Sequence, residues 1–437
     1  MSSFTFIELF AGVGGFRVGL EAIGGKLVWG CDIDHDSQVT YRANFGQDQT
    51  LYADITQSKS QFIPQHDILT AGFPCQDFST LGAGQKDGQK GLEGDTGSLF
   101  FEVVRLLKEC QPKCFLLENV HGLKKMKDGE TIRQVVLALE SAGYIVKYTS
   151  MNSNCLLPQF RRRIYLVGFL DAGAAARFQF PAPPEITPRR IVGDALDLTD
   201  PFLPTYKLSK RQWRTVKDSK PSKKYGIETR LLRPSSKEAD TLLKSYKGSR
   251  NSMSQFVMED DLEHAVRDCN GSEGRPRWLT VRECARLMGF PNSFQFPPGP
   301  CAYKLLGNAV TPPLIALLGA SLRAALENDD KYLLAGLGSA FQLTLASTSP
   351  ARQESLLNSV VDHPAFGGTV KELIELVFGP LEEQEQEKAQ EKAQVEEPRR
   401  IPVQALHPGE VLLKRKMIGL FSVGLVCWSL YQGQMKK

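Results

Sequence analysis

Phe4-Thr5-Phe6-Ile7-Glu8-Leu9-Phe10-Ala11-Gly12-Val13-Gly14-Gly15-Phe16 decides the fold. Phe4 to Phe10 is an apolar run of strand length. Gly12-Val13-Gly14-Gly15 is a tight turn whose backbone can come close to a ligand. Phe16, Leu20 and Ile23 then recur at helical spacing. Strand, glycine turn and helix are the opening of a nucleotide-type α/β unit. Lys26 to Cys31 reads as a second strand, ending at Asp32-Ile33-Asp34. An acid about 20 residues after the glycine loop can hold both ribose hydroxyls. Asp54-Ile55 offers a further carboxylate and an apolar contact for an adenine ring. The fingerprint G-x-G-x-x-G is incomplete, because position 17 is Arg. That weakens a pyrophosphate and leaves room for a ligand without phosphates, such as S-adenosylmethionine.

Outward from this unit, Asp67–Ala71, Cys114–Leu117, Ile145–Met151 and Ile164–Phe169 read as strands. Ser37–Asn44, Leu99–Glu109 and Thr131–Ala142 read as helices. The alternation predicts a doubly wound, mostly parallel sheet. Pro181-Ala182-Pro183-Pro184 ends it. Residues 185–277 are basic and turn-rich. Lys207 to Arg250 holds fourteen basic residues against four acids, a local excess of +10 in a chain of net charge +4. Such a block is the electrostatic footprint of a polyanion, or else a plain solvated face. Order returns at Leu279, where Thr280 with Glu283 three residues on is a capping box. Thr311-Pro312-Pro313 opens a last apolar helix. The expected organisation is 1–184, an insert 185–277, a return 278–328, and an extension 329–437 with a charged linker at 382–397.

Cys75 follows a strand in Gly72-Phe73-Pro74-Cys75-Gln76-Asp77-Phe78-Ser79. Pro74 fixes φ and turns the chain sharply. The thiol is thereby aimed beyond a strand's carboxyl end, where open α/β sheets bind ligands. A bare Pro-Cys pair is otherwise most often a packed thiol. The nine cysteines are scattered and form no zinc pattern, so no metal site is expected. There is no signal-like N-terminus, and the run Ile418–Tyr431 is short for a membrane span. A reducing cytoplasm fits.

Together these segments resemble the DNA (cytosine-5) methyltransferase family of bacterial type. The motifs are Phe6 to Phe16, Gly72 to Ser79, Glu118-Asn119-Val120, Gln159-Phe160-Arg161-Arg162-Arg163, Leu279 to Pro291, and Gly307-Asn308-Ala309-Val310. All six stand in the family's order over roughly residues 4 to 326. The resemblance implies a methyltransferase-type α/β fold with a small target-recognition domain inserted before the last motifs. It implies S-adenosylmethionine as cofactor and double-stranded DNA as partner. A restriction endonuclease acting on the same site, with no direct contact, and a monomeric cytoplasmic enzyme are also expected.

By resemblance, Cys75 attacks cytosine C6, Glu118 holds the N3 and N4 edge, and Arg163 binds O2 and helps hold Cys75. Arg161 supports the same site or contacts the DNA backbone. The cofactor positions are Phe10, Gly12, Val13, Gly14, Gly15, Asp32, Ile33, Asp54, Ile55, Pro74, Leu99 and Asn308. Ile33 stands where many members carry tryptophan, and Ala309 where serine is common. The resemblance brings Asn308 back to the first loop, which makes the catalytic domain discontinuous. Ser79–Gly91 is expected to close over DNA with Gln85, Lys86, Gln89 and Lys90. Ser245–Ser252 is the expected reading loop. His407-Pro408-Gly409-Glu410-Val411-Leu412 is faintly similar to the opening of helix-turn-helix repressors. Methylation of tRNA cytosine and a silent DNA-binding regulator are the alternatives.

Overall fold

The computed structural model describes residues 3–46, 51–52, 54–74, 98–184, 189–247, 254–258, 275–349 and 352–353. The chain divides into two compact units, Met1–Ser347 and Thr348–Lys437. The charged linker and the segment from His407 lie outside the described residues, as does Ser79–Gly91.

The first unit is built on a seven-stranded sheet. Its strands are β1 (Phe4–Leu9), β2 (Gly25–Cys31), β3 (Leu51–Tyr52), β4 (Ile68–Gly72), β5 (Cys114–Val120), β6 (Ile145–Asn152) and β7 (Arg162–Phe169). Their order is β3-β2-β1-β4-β5-β7-β6. β1 pairs in parallel with both β2 and β4, and β5 in parallel with β4. β7 lies antiparallel between β5 and β6. The chain therefore winds outward in two directions from β1. The crevice beyond the carboxyl ends of β1 and β4 is a topological switch point, the usual ligand position in such sheets.

Helices cover both faces, as buried parallel strands require. They are α1 (Gly15–Glu21), α2 (His35–Phe45), α3 (Ser98–Cys110), α4 (Glu130–Glu140) and α5 (Ala172–Arg177). One core joins Phe6, Phe16, Leu20 and Val167 to Leu314 and Ile315; the other joins Ile7, Leu9, Leu69 and Phe115 to Val103, Val135 and Leu139. The period of two along β1 divides its side chains between these cores.

The region 189–247 is less irregular than its composition predicts. α6 (Lys210–Asp218) and α7 (Lys220–Tyr225) are capped by Ser209 and Ser219. β8 (Leu231–Leu232) pairs with β9 (Phe256–Val257). Trp213, Tyr246, Phe256 and Trp278 form an aromatic core, and that core continues into α8 (Val281–Leu287) and α9 (Pro300–Asn308) through Leu287, Phe290 and Tyr303. Packing therefore has no break at 277. The sheet is rejoined at α10 (Pro312–Glu327), not at 278. Thr280 caps α8: its Oγ1 accepts the Glu283 N–H at 3.1 Å, and Glu283 Oε2 accepts the Thr280 N–H at 2.8 Å. The same carboxylate takes two bonds from buried Arg277, at 2.8 and 2.9 Å.

α10 is apolar nearly all round because it is nearly all buried. Gly19 lets α1 approach it: a Cβ there would stand 2.7 Å from Ile315 Cβ. α11 (Lys331–Ala346) closes on its other side, with Gly336 against Ala320. The compact unit thus runs past the expected boundary at 328, because α10 and α11 pack as a helical hairpin.

Candidate active site

The turn after β1 holds three residues at positive φ: Phe10 (52°), Gly12 (56°) and Gly14 (88°). A Cβ on Gly12 would have no neighbour nearer than Phe10 O at 4.0 Å, so this backbone faces open space. Asp32, at the end of β2, fastens the turn. Its Oδ2 accepts the Gly12 N–H and its Oδ1 the Asp34 N–H, both at 2.7 Å. Each oxygen keeps a lone pair for a ligand hydroxyl. Burial pushes this carboxyl above its ordinary range, against the two N–H bonds that pull it down. Ile33 beside it is 75% exposed, an apolar surface offered to a ring.

Arg17, which occupies the third-glycine position, faces inward. Its guanidinium lies 4.1 Å from the Phe45 ring centroid, and Nε donates to Glu21 at 2.7 Å. Asp54 is spent partly on its own turn, accepting from Thr56 N at 2.9 Å and Thr56 Oγ1 at 2.7 Å. Val13 and Ile55 are core residues, 1% and 4% exposed, so what they offer a ligand is mainly backbone and only a little of the Ile55 side chain, the group expected from sequence to meet a ring. Pro74 and Leu99 are half-buried.

Asn308 is exposed at the end of α9, and Val310 packs on the loop: a Cβ on Gly15 would come 2.7 Å from Val310 Cγ2. Lys304 on α9 ties this segment to Asp34 at 2.7 Å. Distant chain ends are thus joined at the glycine turn. Gly15→Ala must push the 308–310 segment away. We expect at least about a tenfold loss of nucleoside-ligand affinity, with up to ~3 kcal/mol of stability lost to overpacking. Isothermal titration and urea melts check this.

Beneath the turn, Glu8 is fully buried. It accepts the Phe16 N–H at 3.1 Å and the Tyr41 hydroxyl at 3.4 Å. Burial outweighs the nearby Arg17 charge and pushes its carboxyl up to about 8. The folded state therefore binds this proton more tightly than the unfolded chain, and stability falls as pH rises from the ordinary carboxylate range to about 8. Glu8→Gln keeps an acceptor without the titration. Its stability relative to wild type should climb over that window by a few kcal/mol, on the order linkage allows, and level off above it. Urea unfolding at pH 5, 7 and 9 measures this.

The catalytic half lies at the next strands. Gly72, ending β4, stands in register with Glu118 on β5, and Glu118 with Tyr165 on β7. The antiparallel β7 begins where the parallel strands end, so Arg163 comes to the same edge. Its Nε lies 3.1 Å from Glu118 Oε1. Glu118 is 8% exposed, and burial raises its carboxyl pKa although Arg163 and Arg161 pull it down. A carboxyl so placed keeps a proton more readily than a surface acid. Asn119 Nδ2 donates to Phe73 O at 3.0 Å and so holds the chain just before Pro74. Sequence reasoning placed Asn119 within a motif but gave it no role. Cys75 lies outside the described residues.

Arg161 faces the interior. Its guanidinium is buried and donates to three carbonyls: Leu242 at 3.2 Å, Gly307 at 3.0 Å and Ala309 at 2.6 Å. Of the two expected roles, support of the site or a contact to the DNA backbone, this internal clasp fits the first; Arg161 precedes β7 and escapes its alternation. Gln159 behaves likewise: Nε2 donates to Leu287 O at 2.9 Å, and Oε1 accepts the Leu242 N–H at 3.2 Å. Desolvation, with Arg163 nearby, pushes the Arg161 guanidinium down to about 9.

Exposed positive charge stands in two places, at the edge and on the insert. After β5, Lys124, Lys125 and Lys127 are exposed, and so is Arg162. On α6 and α7 the exposed cations are Lys210, Arg211, Arg214, Lys220, Lys223 and Lys224. Within the expected reading loop, Tyr246 is a core anchor: its hydroxyl accepts the Leu279 N–H and donates to Gln255 O, both at 2.9 Å. Ser245 and Lys247 are exposed; residues 248–252 lie outside the described residues.

The doubly wound sheet with its β7 insertion, a glycine turn at the switch point and a carboxyl–arginine pair beside it define a methyltransferase-type α/β enzyme. The solved structure of S. pombe Dnmt2 methyltransferase shares this fold, with TM-score 0.56 at 20% identity over 74% of this chain and 98% of that one. The family model for C-5 cytosine-specific DNA methylases matches residues 4–324, and the chain belongs to that family. It is 38% identical over 311 residues to the Type II methyltransferase M.DsaV of Dactylococcopsis salina, covering 70% of this chain and 82% of the relative. It is 36% identical to M.HpaII of Haemophilus parainfluenzae, over 74% of this chain and 90% of that one. Identity to M.HhaI of Haemophilus parahaemolyticus is 33%, over 71% and 91%.

Proposed function

We propose that the protein methylates C5 of a cytosine within a specific double-stranded DNA sequence, and protects that sequence from a restriction endonuclease with which it has no direct contact. It acts as a monomer in the cytoplasm. The observation that carries this reading is the buried Glu118–Arg163 pair at the carboxyl edge, next to the strand that leads into Cys75.

Phe10, Gly12, Val13, Gly14, Gly15, Asp32, Ile33, Asp54, Ile55, Pro74, Leu99 and Asn308 would hold S-adenosylmethionine. The open Gly12 backbone, the Asp32 lone pairs and the bare Ile33 face fit a nucleoside without phosphates. When bound, the cofactor supplies an electrophilic methyl on a sulfonium and departs as the neutral thioether.

Ring C6 is inaccessible inside a duplex, so the target nucleotide is flipped out at a cost of roughly a few kcal/mol. The Cys75 thiolate forms a bond to C6, and the C5–C6 π pair moves through the ring toward N3, where Glu118 delivers its proton. Arg163 holds O2 and fixes the Glu118 carboxyl. The resulting enamine carbon, C5, takes the methyl. A base then removes the C5 proton, the C5–C6 double bond re-forms as the thiolate leaves with the electrons of the S–C6 bond, and N3 returns its proton to Glu118. Covalent catalysis thus divides one difficult substitution into easier steps. Arg161 and Asn119 position these groups without touching the base.

Two measurements test the reading. Sequencing methylated cytosines in unmethylated plasmid, after incubation with protein and cofactor, should reveal one short recurring site. Duplex DNA with 5-fluorocytosine at that site should give a covalent adduct, because fluorine cannot be removed as a proton is. No methylation, or an adduct with RNA and not with DNA, overturns the proposal.

A further inference from the structure

We infer that Arg161 is a positioning residue that couples DNA binding to cofactor binding. The inference rests on the function proposed above. One guanidinium, carried by the chain just ahead of β7, bridges two segments that serve different ligands. Nη1 holds Leu242 O, in the basic insert. Nη2 holds Gly307 O and Ala309 O, the carbonyls on either side of Asn308.

The two segments also touch directly. A Cβ on Gly307 would collide with the backbone of Leu243 and Lys244. Lys244 and Lys247 are exposed next to this contact, suited to phosphates. The insert segment is pinned at its start, where Gln159 accepts the Leu242 N–H, and by Tyr246 in the aromatic core. Close-packed interiors transmit displacement and do not absorb it. A phosphate drawn to Lys244 or Lys247 therefore bears on the backbone against Gly307, and Arg161 carries the same load to both flanks of Asn308. The bonds run to carbonyls, so they fix backbone and not side-chain identity.

Linkage makes the effect reciprocal: DNA must tighten the cofactor by the factor by which cofactor tightens DNA. Couplings of this kind span roughly 5–150-fold. The experiment measures S-adenosylhomocysteine affinity by isothermal titration, with and without the duplex that carries the mapped cytosine. Wild type should bind it at least about fivefold tighter with DNA. In Arg161→Met the ratio should fall toward one. Arg161→Lys, which keeps the charge and fewer carbonyl bonds, should be intermediate.

A residue that only supports the fold would weaken both affinities and leave their ratio unchanged; that result overturns the inference, as does a wild type with no tightening. If Arg161→Met does not fold, Arg161→Lys and Gly307→Ala decide, through the same ratio. Wild-type methylation of the duplex, run alongside, reports separately on the proposed function.

Discussion

Cys75→Ser abolishes methyl transfer, by more than roughly 10⁴-fold in single-turnover rate, the order lost when a covalent nucleophile is removed. A serine hydroxyl is far less ionised than a thiol near neutral pH and cannot add to C6 at a useful rate. Duplex binding should stay within about threefold of wild type, since phosphate contacts set most of that affinity. The 5-fluorocytosine adduct should vanish from a denaturing gel while a native gel still shows the complex. A Cys75→Ser variant that methylates at the wild-type rate would remove covalent catalysis from the account.

The second large effect falls on Glu118. Glu118→Gln should lower the single-turnover rate by about 10²–10⁴-fold, the usual share of a positioned proton donor. The amide keeps hydrogen-bonding capacity but has no acidic proton. Wild-type rates should fall as pH rises through the raised Glu118 value, because the protonated form is the competent one. The Gln variant should show no such fall. The stability effect has the same sign: the folded state holds the proton more tightly, so the ionised group subtracts stability as pH climbs to its raised value. Glu118→Ala is a harsher change. It leaves the mostly buried Arg163 without this partner, and breaking such a pair costs about 3–5 kcal/mol. Comparing Gln with Ala in urea melts and rate assays separates proton donation from structural support.

Much of this architecture is legible in local pattern. The apolar runs of β1, β2, β4 and β5 are short, lie between turn signals, and differ in period from α3 and α4. The capping box at Thr280 is read directly, because its partners lie three residues apart and are set by helix geometry. The helices of the insert were not legible. α6 and α7 are only nine and six residues long, and Trp213 and Ser222 are their only buried residues, so charged side chains dominate and there are too few apolar positions to draw a helical stripe. Trp213 and Tyr246 were hidden for another reason: their partners, Phe256 and Trp278, are distant in sequence.

The two arginines of one motif show the limit of spacing arguments. Arg161 and Arg163 are two residues apart, which would place them on one side of a continuous strand. β7 begins at Arg162, so only Arg163 obeys its alternation. Arg163 meets Glu118 because β7 runs antiparallel to β5 in one register; a shift of one residue would turn it to the other face. Arg161 instead finds carbonyls from Leu242, Gly307 and Ala309, up to 148 residues away. Local pattern is enough for strand, turn and helix, and for which residue types can carry thiol, carboxyl and guanidinium chemistry, since backbone sterics and side-chain chemistry act over a few residues. Which guanidinium faces the base and which is buried as a clasp follows from strand direction, register and burial, and these are properties of contacts between segments that no local pattern contains.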